Sequence, residues 1–256
     1  MEFVESGWDV KHMFELMVTS STYRQSADVT PEKLEKDPQN RFLSRGPRFR
    51  MDAEMVRDYA LAVSGLLTEK LGGPSVKPYQ PDGIWEAVAM PESNTKKYKR
   101  DTGDALYRRS LYTFWKRAAP PATMDIFNAP SREVCSVRRE RTNTPLQALA
   151  TLNDPQFVEA ARHLAEKAMA TGRRDDEALD EMAQRLLSRA LTAKEKSIVK
   201  STLADMNSFF AKNPDAAKEF LATGESKPSD KVPAPQLAAM TMVANQLMNL
   251  DEVLNK

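Results

Sequence analysis

The chain has 256 residues, 41% of them hydrophobic and 29% charged, and a formal net charge of +1. This composition is typical of a globular protein with a sizeable core, and the near-zero net charge argues against a general nucleic-acid binder. The single cysteine, Cys135, excludes an intrachain disulfide and a Cys-x-x-Cys metal or haem site, and no apolar run reaches the roughly 20 residues that a membrane-spanning helix needs.

The charges are distributed unevenly along the chain. Residues 1–40 carry a net charge of −4, residues 41–143 a net charge of +7, and residues 144–256 a net charge of −2. The positive block coincides with the part of the sequence that is richest in predicted loops. Its arginines are therefore the first candidates for contact with an anionic ligand or partner.

In the first quarter of the chain, Asp9 is the expected N-cap of a helix, and residues 27–40 form a charged loop. Residues 40–50 alternate arginine with apolar residues, which predicts an extended segment whose guanidinium groups point in one direction. Asp52 then caps a predicted helix over residues 53–71, and the glycines and proline at 72–74 are typical of its end.

The middle of the chain contains two strand candidates. Residues 109–117 are rich in aromatic residues and threonine, and residues 133–138 form a short apolar run that contains Cys135. We expect the two segments to pair as a minor two-stranded β element. We also expect the thiol of Cys135 to be a buried, inert core group.

From residue 144 onward the sequence predicts helices. Thr144 or Asn143 caps a helix with Pro145 in its first turn, and Asp154 before Pro155 repeats this arrangement. Thr192 with Glu195 matches a capping box. Residues 223–234 are expected to be a flexible linker before a last helix over about residues 235–248. The predicted fold is mainly α: one irregular helical domain over residues 1–256, with long loops rich in arginine and proline.

The candidate functional site is the arginine-rich centre of the chain. Arginines just upstream of a helix N-terminus can combine guanidinium forks with unpaired backbone N–H groups to bind an anion. The alternative is that these arginines pair with internal carboxylates such as those of Asp52, Glu54, Glu133 and Glu140, and so fasten loops to the core. The candidate anion-binding residues are Arg45, Arg48, Arg50, Arg108, Arg109, Arg138, Arg139, Arg141 and Asn143.

Common catalytic motifs are missing from the sequence. It contains no phosphate-binding glycine-rich loop, no Gly-x-Ser-x-Gly elbow and no His-Glu-x-x-His motif. Asp101 and Asp104 are weak candidates for acid and base on a glycosidic bond, although loop aspartates more often cap turns. The two histidines, His12 and His163, lack metal-ligand spacing, so we expect neither a metal site nor a cofactor in this chain.

Four long motifs and a short closing one carry a resemblance to a known family. They are residues 21–26 (STYRQS), 40–50 (NRFLSRGPRFR), 107–117 (YRRSLYTFWKR), 138–149 (RRERTNTPLQAL) and 249–252 (NLDE). With these motifs the chain resembles the planctomycete-type, cytochrome-associated domain of unknown function that is numbered fifteen-fifty-three. The resemblance extends over nearly the whole sequence.

The resemblance implies a context rather than a reaction. Members usually form the C-terminal part of larger exported proteins, periplasmic or on the cell surface, with a cytochrome-c-like module and a second uncharacterised domain upstream. The present sequence starts at a point that resembles the middle of the family pattern, so a fragment is expected, and the localisation of the chain itself stays open. Our functional expectation is a binding module for an anionic polysaccharide or a cytochrome-type partner. The alternative is an enzyme that acts on sulfated or uronic-acid glycans.

Overall fold

The computed structural model describes residues 1–170 and 174–256, and this part of the chain is mainly helical, as predicted. It contains thirteen α-helices and two short 3-10 helices, at Gly103–Tyr107 and Ser110–Tyr112. The α-helices are α1 Glu2–Glu5, α2 Val10–Thr19, α3 Pro31–Lys36, α4 Ala53–Ser64, α5 Ile84–Val88, α6 Ala122–Ile126, α7 Pro145–Asn153, α8 Pro155–Met169, α9 Asp175–Leu187, α10 Ala193–Lys212, α11 Pro214–Leu221, α12 Ala234–Met248 and α13 Asp251–Leu254. No described helix has the length and apolar character to cross a membrane.

The predicted helix starts are confirmed where a polar cap precedes the helix. Asp9 accepts a hydrogen bond from the backbone of His12 at the start of α2. Thr144 and Asp154 cap α7 and α8 in the same way. The capping box at the start of α10 is formed by reciprocal bonds between Thr192 and Glu195. Each cap satisfies N–H groups that the first turn of a helix leaves without a partner.

Helix α4 ends at Ser64, seven residues before the predicted end at residue 71, so that part of the prediction is wrong. Gly65 adopts a left-handed conformation with φ of 72°, and the amides of Leu66 and Leu67 both return to the carbonyl of Leu61. This closes the C-terminus of the helix. A Cβ at position 65 would meet only the end of the exposed Lys167 side chain, so the left-handed backbone is the reason that glycine is favoured there.

The predicted two-stranded β element is wrong. The described residues form only isolated bridges, and residues 133–138 run as exposed bends with Val137 fully exposed. The backbone around residue 113 is already satisfied by another segment, since Val76 bonds to Tyr112 at 2.8 Å and Phe114 bonds to Val76 at 2.7 Å. Cys135 is exposed, so the expectation of a buried thiol is also wrong.

The contacts within the chain divide it into two compact units. The first comprises residues 1–49 and 255–256, and the second comprises residues 50–254. In the first unit, α1 to α3 are joined by loops, and Phe49 exchanges backbone hydrogen bonds with Lys256. Within the same unit Gly46 donates to the carbonyl of Ser26 at 2.9 Å.

The second unit contains the hydrophobic core. Helix α8 packs against α4, α9 and α12, and α10 and α11 pack against α12. Ten of the fifteen residues of α8 are buried, and so are ten of the fifteen residues of α12. Alanines at the centre of both helices let their backbones approach closely, whereas Leu164, Leu179 and Leu237 fill the space between the helices.

Candidate ligand-binding groove

Arg57 on α4 is a buried structural arginine, and sequence analysis did not select it. Its Nε donates to the Gln156 side chain at 2.9 Å, and its Nη atoms donate to the carbonyls of Arg108 at 2.8 Å and Leu106 at 2.6 Å. A fourth bond reaches the Ser110 hydroxyl at 3.2 Å. Burial lowers the pKa of Arg57 to about 10. The Arg57 side chain therefore supplies hydrogen-bond donors to backbone carbonyls that have no partner in a helix or a sheet.

Arg108, a predicted anion-binding residue, is also buried and serves the backbone. Its guanidinium donates to the carbonyls of Pro74 at 3.0 Å, Lys70 at 2.9 Å and Gly72 at 2.5 Å. The group stacks over the Tyr112 ring, 3.8 Å from its centroid. These contacts fasten the 70–74 loop, and they leave the fork of Arg108 turned toward the protein rather than toward solvent.

The arginines of residues 40–50 do not act as one set. Arg45, in the first unit, donates to the carbonyls of Asp37 at 2.9 Å and Pro38 at 3.0 Å, and exposed Arg48 belongs to the same unit. Arg50 belongs to the second unit and donates to the Gln147 side chain of α7 at 3.1 Å. Burial lowers the pKa of Arg50.

An open groove of about 580 Å³ runs along α4 in the second unit. Three arginines and two carboxylates line it together with an apolar floor. Arg109 and Arg139 come from the predicted set, whereas Arg132 was missed because its loop carries no local motif. The lining residues are Met51, Glu54, Met55, Asp58, Tyr59, Ala62, Leu67, Arg109, Leu111, Arg132 and Arg139.

Arg139, one of the three groove arginines, belongs to an ion-pair network. Arg139 makes a bidentate contact with Glu54, at 2.5 and 3.2 Å, and lies 3.9 Å from Asp52. The hydrogen bond to Glu54 raises the pKa of Arg139. Arg141 also approaches Asp52, at 4.0 Å. Glu54 and Asp52 are two of the four carboxylates that we considered from the sequence as internal partners for the arginines.

The other two groove arginines are held more loosely. The Arg109 side chain is 53% exposed, and its Nε lies 3.7 Å from the Asp58 carboxylate, beyond hydrogen-bond distance. The Arg132 guanidinium lies over the Trp115 ring at 4.6 Å, and Trp115 Nε1 donates to the carbonyl of Ser131. Stacking orients the Arg132 guanidinium without using its N–H donors.

The remaining predicted residues do not line the groove. Arg138 and Asn143 are exposed on the segment that precedes α7. Asp101 accepts a hydrogen bond from the backbone of Lys77 at 2.7 Å, and its own amide donates back to the Lys77 carbonyl. Asp104 is exposed in the first turn of a 3-10 helix. Among the residues that the structure describes, no three histidine, cysteine or acidic side chains are grouped as metal ligands.

A buried carboxylate on α8, Glu159, forms a second polar centre that the sequence did not reveal. It accepts hydrogen bonds from the hydroxyls of Tyr79 at 2.8 Å and Tyr107 at 2.9 Å, and from the amides of Glu225 and Ser226 at 2.9 and 2.7 Å. Burial alone would raise the pKa of Glu159, but these bonds outweigh it and hold the pKa below its usual range. The segment predicted as a linker is thus bonded to the core at its start, while its flexibility stays a prediction.

Ser226 lies near a histidine but is not arranged as a nucleophile. Its Oγ is 2.7 Å from His163 Nε2 and 2.5 Å from a Glu159 oxygen, and Arg162 donates to the same Oγ at 2.8 Å. Two oxygens this close need a proton between them, so the hydroxyl donates to Glu159 and Nε2 of His163 carries its own proton. The histidine therefore cannot act as a base toward this serine.

A comparison with protein-family models gives one match. Residues 1–203 match the model described as PSD1, protein of unknown function (DUF1553). The chain belongs to this family. The matched part includes every residue that lines the α4 groove. Searches of curated proteins and of solved structures gave no match.

Proposed function

We propose that this chain is a binding module and that its α4 groove takes an anionic glycan, one that carries sulfate or carboxylate groups. The observation that carries the proposal is the position of Arg109 and Arg132 together in one open groove of about 580 Å³, whereas the guanidinium groups of Arg57 and Arg108 are bonded to backbone carbonyls. Planar guanidinium forks match the geometry of sulfate and carboxylate oxygens.

The floor of the groove supports a sugar rather than a small inorganic anion. Met55 and Leu111 are exposed and contribute apolar surface to the same groove as the arginines. Sugar rings have apolar C–H faces and polar edges, so a charged saccharide can contact floor and arginines together. The volume of the groove falls in the range of ordinary small-molecule sites. Glu54 pairs with Arg139 and Asp58 lies 3.7 Å from Arg109, so the three arginines and two carboxylates of the lining leave one positive charge in excess.

We propose binding without catalysis, because the two candidate catalytic aspartates do not line the groove. The alternative, hydrolysis of anionic glycans, was based on Asp101 and Asp104. Asp101 is engaged with the backbone of Lys77, and Asp104 lies in an exposed turn outside the groove lining. An exported setting beside a cytochrome-c-like module, which the sequence resemblance implies, is part of the proposal. It would bring a polysaccharide within reach of the groove.

Calorimetric titration tests the proposal. The probes are an oligogalacturonate, a sulfated chondroitin oligosaccharide and a neutral malto-oligosaccharide of similar length, each added to the full chain. We expect an anionic probe to bind and the neutral one not to bind. Arg109→Ala and Arg132→Ala should each weaken binding roughly tenfold, since a hydrogen bond to a charged group contributes about 1.5–3 kcal/mol.

The matched control is Arg185→Ala, because Arg185 pairs with Glu181 on α9 and does not line the groove. It should leave the affinity unchanged. Equal affinity for the neutral probe, or equal binding by both groove variants and the parent chain, contradicts the proposal. Binding of a cytochrome with no binding of any glycan would assign the groove to a protein partner instead.

A further inference from the structure

Helix α2 in the first unit exposes an apolar face with the spacing of a helix–helix contact. Val10, Met13, Phe14 and Met17 recur at intervals of three and four residues, which places them on one side of the helix. None of the ten residues of α2 is buried by the described chain, and Phe14 is 63% exposed. With Phe3 of α1, these residues line a trough of about 300 Å³.

The trough is held in shape by contacts between α1 and α2. Trp8, in the turn between the helices, donates its amide to the Phe3 carbonyl at 2.9 Å, and the two rings meet edge to face at 5.2 Å. His12 on α2 lies 2.8 Å from the Glu2 carboxylate on α1. A binding partner would therefore meet a preformed surface and would not have to order it.

The border of the trough is acidic. Exposed carboxylates lie on α1 and in the turn between the helices, and Lys11 is the only lysine or arginine among residues 1–20. Two copies of this surface facing each other would bring like charges together, which disfavours self-association. An acidic border is also repelled by anionic lipid headgroups. The bordering acids are Glu2, Glu5 and Asp9.

We infer that this trough is a docking site for a basic amphipathic helix of a partner protein. Apolar side chains of that helix would fill the space beside Phe3 and Phe14, and its flanking lysines or arginines would meet the acidic border. This is the helix-in-groove mode of recognition, in which residues at helical spacing supply the anchors. The inference does not depend on the function proposed for the α4 groove.

The test uses the full chain and two labelled synthetic helices, one built from leucine–lysine heptads and the other from leucine–glutamate heptads. Fluorescence anisotropy should show binding of the lysine peptide, weakening as salt is added, and no binding of the glutamate peptide. Phe14→Ser should reduce the affinity roughly tenfold or more, because a buried phenylalanine contributes about 1.5–3 kcal/mol. Glu5→Lys should also weaken binding of the lysine peptide.

Phe42→Ser is the matched control, since Phe42 belongs to the same unit, is 83% exposed and does not line the trough. It should bind like the parent chain, and circular dichroism should show unchanged helix content in both phenylalanine variants. Absence of binding, equal binding of the two peptides, or no effect of Phe14→Ser overturns the inference. Two further outcomes would overturn the inference. One is a dimer in sedimentation that Phe14→Ser abolishes, and the other is binding to neutral phosphatidylcholine vesicles that Phe14→Ser abolishes. Either result would identify a different occupant of the trough.

Discussion

Arg108 and Arg109 are neighbours in sequence and opposites in use. Arg108 is buried, stacks on Tyr112 and donates to three loop carbonyls, whereas the Arg109 side chain is half exposed and borders the α4 groove. Both residues are arginines in the same stretch of sequence, so the difference arises from the groups that surround each side chain in the fold. A guanidinium among unpaired carbonyls becomes part of the scaffold, and one beside solvent stays available to a ligand.

Two of the buried arginines, Arg57 and Arg108, donate to segments of the chain that have little regular structure. Segments 65–83 and 101–119 run between helices, and their carbonyls lack the partners that a helix or a sheet would supply. Arg57 and Arg108 supply several donors each to these carbonyls. The comparison predicts that losing a buried arginine costs fold stability, whereas losing a groove arginine costs ligand affinity.

The largest effect is expected for Arg57→Met. This change keeps much of the side-chain volume but leaves the carbonyls of Leu106 and Arg108 and the Gln156 amide oxygen without their donor. We expect the free energy of unfolding to fall by about 3–5 kcal/mol, measured by urea denaturation. Arg185→Met on α9 is the control and should change it by less than about 0.5 kcal/mol. A loss of similar size in both variants would remove the distinction.

Glu159→Gln tests the buried carboxylate, which accepts several hydrogen bonds just as the buried arginines donate several. Its folded pKa lies below the ordinary value, so its stabilisation is present above that value and is lost as the pH falls through the folded pKa. We expect a loss of about 2 kcal/mol at neutral pH and a weaker dependence of stability on pH in the acid range. Chemical denaturation at several pH values measures both. If the dependence of stability on pH in the acid range were the same in the variant and the parent chain, Glu159 would not contribute to that dependence.

The same variant examines the predicted linker. Amides of Glu225 and Ser226 bond to Glu159, so they should exchange with deuterium slowly in the parent chain and faster in Glu159→Gln. The amide of Lys227 has no such bond to Glu159 and provides the internal reference. Equal, fast exchange across residues 223–233 in the parent chain would support the fully flexible linker that the composition predicts.

The features that the sequence predicted correctly are those set by near neighbours. Thr144, Asp154 and Thr192 act on amides two or three residues away, so their helix starts could be predicted from local sequence alone. The end of α4 was missed because Gly65 acts through its left-handed backbone, while the Gly-Gly-Pro run further on is a stronger local signal.

The roles of the arginines could not be assigned in this way, because each depends on a distant partner. Arg57 bonds to carbonyls about 50 positions away, and Glu159 bonds to a serine 67 positions away. No periodicity or spacing encodes such pairs. The central positive block did indicate the region that contains the groove, and the pairing of Arg139 with Glu54 followed the alternative that the sequence had left open.

A double-mutant cycle on Arg139 and Glu54 should give an intermediate effect. Both side chains are partly exposed, and partly exposed ion pairs typically contribute about 0.5–1 kcal/mol. We expect a coupling energy of this size from the unfolding of Arg139→Ala, Glu54→Ala and the double variant, and a smaller value at high salt. Coupling above about 3 kcal/mol would place Arg139 with the buried arginines and remove it from the groove set.

The smallest effect on stability, and the sharpest comparison, comes from Arg109→Ala measured beside Arg108→Ala. Loss of Arg109 removes a contact to Asp58 at 3.7 Å that is longer than a hydrogen bond, so the free energy of unfolding should change by no more than about 0.5 kcal/mol. Loss of Arg108 removes a buried guanidinium together with its three hydrogen bonds to loop carbonyls, and should cost about 2 kcal/mol or more. If urea denaturation gave equal losses, Arg109 would be a scaffold residue like its neighbour, and the groove would lose one of the two arginines that we propose contact the anion.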